Sequence, residues 1–222
     1  MKDMALDGTF DPKSMTRLVI RTVKITEQFY GSFFSKIVAK AAAEFEAKKI
    51  GDQSLPRIET MEDASEYIMQ NIGKYRDGFC AVIYGLAKAE NDLQGGIGSG
   101  GRTTAKKSAL NFLMGSYARN STNSTEVYRM QTSMAKEARL LVGDVKEISG
   151  DENSVTVLFE RCHFADACNA IAQEKIGKLV GGFECTIARS GTASLEYSTK
   201  LAHDFEVTRF SPPNCIFRMF KV

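Results

Sequence analysis

Proline is scarce in this chain, at 4 residues in 222, and neither sign of charge forms a dense block. With a hydrophobic share of 43%, this excludes a collagen-like, low-complexity or disordered chain. Basic residues number 29 against 27 acidic, so the clustered Lys/Arg face of a nucleic-acid-binding protein is missing and no nucleic-acid partner is expected. No apolar run reaches the ~18 residues that cross a bilayer, so no membrane partner is expected. Met1–Phe10 is polar, with Asp3, Asp7 and nearby Asp11, and lacks the basic start and apolar centre of an export signal. The expected location is therefore cytoplasmic, with all five cysteines reduced. No internal repeat occurs.

What is present falls into two halves, 1–143 and 144–222. From Lys13 to Ile50, apolar residues (Leu18, Ile25, Phe29, Phe33, Ile37, Ala41, Phe45) recur every three to four positions. The pattern predicts one long helix, or two helices hinged near Gly31 and ended by Gly51 and Pro56. Its Met15–Phe45 stretch is a candidate homodimer surface. Thr60-Met61-Glu62-Asp63 reads as a capping box before the stripe Met61, Ala64, Ile68, Ile72. Helices are also expected at about Thr104–Ala118 and Thr125–Leu141, separated by a polar loop. That loop holds Asn120-Ser121-Thr122 and Asn123-Ser124-Thr125, both matching the glycosylation acceptor.

After Gly143 the period changes. Val145–Ile148 and Val155–Glu160 read as strands joined by a turn, with Val155, Val157 and Phe159 on one face. A helix about Ala165–Gln173, a Gly181-Gly182 link, a helix about Glu184–Tyr197, a strand about Phe205–Phe210, a turn at Pro212-Pro213-Asn214 and a strand Cys215–Val222 complete the pattern. The expected fold class is α+β, a helical N-terminal half packed on a C-terminal antiparallel sheet with interspersed helices.

Three features carry chemistry. Gly96–Thr103 resembles a phosphate-binding loop with Arg102 where lysine is needed, but no strand leads into it, so it reads as a connector. Cys80 lies in the apolar run Phe79–Tyr84 and reads as a buried thiol. Cys162, Cys168, Cys185 and Cys215 all fall late in the chain, near His163 and His203. One reading is a zinc site on Cys185, His203 and Cys215, although no Cys-x-x-Cys pair is present. Another is nucleophilic chemistry. Cys162 and Cys185 stand at or just before helix starts, where free N–H groups lower a thiol's pKa, and His163 or Asp166 is placed to accept a proton. His203 and Asp204, before a strand expected to neighbour Val155–Glu160, are the alternative partners. Separately buried thiols remain the third reading.

The strings Arg161-Cys162-His163-Phe164-Ala165-Asp166-Ala167, Cys185, Phe205–Arg209 and Asn214-Cys215-Ile216-Phe217-Arg218 resemble the L-2-amino-thiazoline-4-carboxylate hydrolase family. More distantly they are similar to small-molecule-binding domains of the 4-vinyl reductase type. The resemblance covers about residues 155–222. It implies an α+β fold holding a small ligand between helices and sheet, and hydrolytic opening of a cyclic C–N or C–S compound. Carried onto this chain, it makes Cys162, Cys185 and Cys215 pocket thiols, with Asp166 and Glu206 as nearby carboxylates. The chain departs from the family pattern in having Thr186 after the second cysteine. The functional expectation is a hydrolase with Cys162 or Cys185 as nucleophile, Asp166 or Glu206 as base, His163 as a further catalytic candidate, and no cofactor. Arg161, Glu206, Arg209 and Cys215 would face a substrate whose carboxylate an arginine anchors. The alternative is a sensor domain that binds a small molecule without turnover, with or without zinc.

Overall fold

The computed structural model describes residues 10–93, 121–174, 176 and 185–222. Among them are seven helices and one four-stranded antiparallel sheet, an α+β arrangement with the helices first. The Gly96–Thr103 connector, the Thr104–Ala118 helix and the Gly181-Gly182 link lie outside the described residues.

The long N-terminal stripe folds as two helices, α1 (Pro12–Tyr30) and α2 (Ser32–Ile50). Asp11 caps α1 by accepting from the Lys13 N–H, and Pro12 fills the first turn, where a missing N–H costs nothing. The break is Gly31, at φ 80° and ψ 170°, a conformation essentially confined to glycine. Helix α3 (Met61–Asn71) starts in the capping box. Asp63 N–H donates to Thr60 Oγ1 at 3.1 Å, and the Asp63 carboxylate accepts from Thr60 N–H at 2.9 Å. It ends at Asn71, before the glycines.

Helix α4 (Gly78–Asp92) was not legible as a unit. Phe79 through Ile83 are all buried, so the segment has no polar face from which to read a period. It packs along α2, whose Glu46 is fully buried beside Gly78. Among the described residues neither carboxylate oxygen of Glu46 has a hydrogen-bond partner, and burial pushes its pKa up to about 8. Helix α5 (Ser124–Glu137) is capped by Asn123, whose side chain accepts from Glu126 N–H at 3.1 Å. One of the two glycosylation-like asparagines is thus a helix cap.

The sheet comprises β1 (Asp144–Gly150), β2 (Ser154–Glu160), β3 (His203–Arg209) and β4 (Cys215–Lys221), in the order β1-β2-β4-β3. The last strand is therefore internal. It pairs with β2 through Val157↔Phe217 and Phe159↔Cys215, and with β3 through Val207↔Phe217. This corrects the expectation that β3 neighbours β2. Val155, Val157, Phe159, Phe217 and Met219 are buried on one face, as the alternation requires. Helices α6 (Ala165–Gln173) and α7 (Thr186–Thr199) complete the fold. The sheet meets α5 and α7, whereas α6 packs on α4. A single apolar cluster runs from Phe10 through α1, α2 and α4 to Phe217 and Met219. No described helix is long and apolar enough to cross a membrane.

Candidate functional site

The four late cysteines come from four different elements. Cys162 follows β2, in a turn stitched to the β3–β4 connection. Its N–H donates to the Pro213 carbonyl at 2.9 Å, and the Arg161 N–H donates to Asn214 Oδ1 at 3.1 Å. Cys168 lies on the first turn of α6, Cys185 is the N-cap of α7, and Cys215 opens β4 opposite Phe159. Helix α7 sits close on the sheet at Gly191, where a Cβ would stand 2.7 Å from Met219 Sδ.

All four thiols line one cavity, together with Phe159, Phe164, Ala165, Ile187, Val207, Phe210, Pro212 and Phe217. Its volume is about 20 Å³, room for roughly one water molecule. Among the described residues that line it there is no charged side chain, imidazole, hydroxyl or side-chain amide.

In such surroundings the charged form of a thiol is penalised. Burial pushes Cys162 up to about 12, only partly opposed by a backbone hydrogen bond from Phe164. Burial also raises Cys168 strongly, with the other cysteines adding to the effect. Cys215 is raised by burial against the opposing pull of a Ser211 backbone hydrogen bond and the Arg209 charge. The thiol at Cys162 was expected to be acidified by a helix start. Here desolvation outweighs that effect, because the side chain turns inward among aromatic rings.

Most of the other expected site residues stand elsewhere. Asp166, beside Ala165, faces away from the cavity, accepting from Tyr75 OH at 3.0 Å and pairing with Lys49 Nζ at 3.0 Å. The His163 ring stacks on Phe10, with centroids 4.3 Å apart. Arg161, at φ 51°, ion-pairs with Asp144, to which its Nε donates at 2.5 Å. Glu206 is exposed on β3 and faces Arg218 across the strand pair at 3.8 Å. Arg209 alone stays near, exposed but close enough to favour the Cys215 thiolate.

His203 is at the far end of the sheet. It pairs with Lys221, six residues along β4 from Cys215, which is roughly 20 Å of strand. Its Nε2 lies 2.9 Å from Ser124 Oγ and its Nδ1 2.9 Å from the Leu201 carbonyl. His203 is thus not brought to Cys185 and Cys215, and among the described residues no group of three His, Cys, Asp or Glu side chains is placed to hold a metal ion. Cys80, on α4, is fully buried as expected, and its thiol donates to the His163 carbonyl at 3.1 Å.

The sequence reading missed Cys168 as a lining residue, and with it Ile187, Val207, Phe210 and Pro212. Alternation on β3 placed Val207 on the same face as Phe205, which was the available signal. Nothing local marked Tyr75 and Lys49 as the partners of Asp166, since both contacts span long separations. Compared with family models, with curated proteins and with solved structures, the chain matches none.

Proposed function

We propose that this chain is a small-molecule-binding module whose site is the four-thiol cavity, and that it holds its ligand without turning it over. The convergence of Cys162, Cys168, Cys185 and Cys215 from four separate elements on one concave space supports the reading. Turnover needs a base and a group that stabilises developing charge. The carboxylates and the imidazole nominated for those tasks point away from the thiols. A buried thiol with a raised pKa is also a poor nucleophile at neutral pH.

The test is a fragment screen by NMR on protein with labelled Ile and Val methyl groups. Binders should shift Ile187 and Val207, and no fragment should be consumed over hours. A screen in which every perturbation falls outside the lining overturns the reading.

A second reading keeps the expected ring-opening hydrolase. It draws on one observation, the position of Cys185 at the N-terminus of the 14-residue helix α7, where backbone N–H groups favour a thiolate. Hydrolysis of 2-amino-thiazoline-4-carboxylate that disappears in Cys185→Ser would establish it and displace the first.

A further inference from the structure

The lining also constrains what the cavity accepts. We infer that its ligand is an uncharged, apolar molecule and not a carboxylate-bearing heterocycle; this rests on reading the cavity as the binding site. Among the described lining residues the sulfur atoms are the only side-chain heteroatoms, and a thiol is a weak donor and a weak acceptor. A ligand carboxylate placed there loses its hydration and gains no partner, which costs several kcal/mol. The cations nearest in sequence do not make up the loss. Arg161 is committed to Asp144, Arg218 faces Glu206, and Arg209 is exposed outside the lining. Aromatic rings and polarisable sulfur at Phe159, Phe164, Phe217 and the four cysteines make favourable dispersion contacts with a hydrocarbon surface.

Size sets the second constraint. At about 20 Å³ the cavity is too small for a six-membered ring, so a ligand must displace a side chain. Phe210, 37% exposed, is the most exposed of the described lining residues and is the side chain whose displacement would open the cavity. It lies in the connection between β3 and β4, outside the regular sheet, so its rotation leaves the strand pairing intact.

Benzene and benzoate separate the alternatives, because they share a ring and differ in one charge. Each is titrated into the full chain while the Ile187 and Val207 methyl signals are followed. Benzene should shift both signals saturably, and benzoate should bind at least about a hundred-fold more weakly, the ratio that an unpartnered buried charge implies. Ala165→Phe, which adds a ring to the lining, should abolish the benzene shifts; the wild-type titration stands alone if that variant fails to fold. Benzoate binding as tightly as benzene, or benzene shifting core methyls such as Val38 instead, overturns the inference. If neither binds but polar fragments shift Ile187 and Val207, the inference falls and the binding reading survives. If no fragment reaches these methyls, both fall.

Discussion

The hydroxyl of Tyr75 donates to the carboxylate of Asp166, joining the segment before α4 to the first turn of α6 across 91 residues of sequence. Lys49 of α2 reaches the same oxygen. Asp166 therefore ties helices α2 and α6 to the loop before α4. It does not serve the cavity behind it. Asp166→Ala should lower stability by about 1 kcal/mol, a modest figure because the side chain is 45% exposed and solvent screens the pair. Urea unfolding measures the loss, and fragment affinity at Ile187 and Val207 should not change. A large affinity loss with unchanged stability would restore Asp166 to the site.

Glu46 gives the fold a pH dependence of known sign. Its folded pKa, about 8, lies above the ordinary 4.5, so the folded state holds a proton that the unfolded state releases. The stability this provides is complete below about pH 4.5 and is lost as pH rises toward 8, by on the order of a few kcal/mol. Glu46→Gln removes the titration and should flatten the curve over that interval. His203 slopes the other way. Burial lowers its pKa from 6.5, so its contribution is present above pH 6.5 and is lost as pH falls through the folded pKa. Unfolding midpoints across pH 4–9 for the wild type, Glu46→Gln and His203→Gln separate the two.

The thiols should react in a fixed order with iodoacetamide at pH 7.5. Cys215, partly exposed and beside Arg209, should lead Cys162 and Cys168, whose thiolates burial disfavours more strongly. Cys80, with no exposed surface, should be modified at least about a hundred-fold more slowly than Cys215 and only on unfolding. Peptide mass spectrometry over a time course reads the order. Equal rates at all five positions would contradict the burial described.

Gly31→Ala should cost about 1–3 kcal/mol, because φ 80° with ψ 170° is a conformation that a Cβ resists. The space around the residue is empty, so the loss would come from the backbone alone, and thermal unfolding should show it without any change at the cavity.

How far the sequence could be read follows from the range of each signal. The Gly31 hinge, the Thr60 capping box, helix α6 and the alternation of β2 are local patterns, and each stands where its residues place it. Helix α4 escaped because its first turn and a half, from Gly78 to Ile83, is buried on every side, which erases the periodicity there. The crowding of the cysteines near the C-terminus left convergence and separate burial as open readings, and it gave no sign of the company they keep. Asp166, His163 and Arg161 sit within a few residues of Cys162, and adjacency suggested a shared site. Successive side chains in a turn and a helix start point in different directions, so proximity along the chain became separation in space.

The internal place of β4 dictates the order of events during synthesis. Strands β2 and β3 touch only through it, so the hairpin β1–β2 keeps one β2 edge unsatisfied until β4 has been made and has docked. A stalled or truncated nascent chain would expose Val155, Val157 and Phe159 together with an open strand edge, which makes it a natural client for chaperones that recognise apolar β segments.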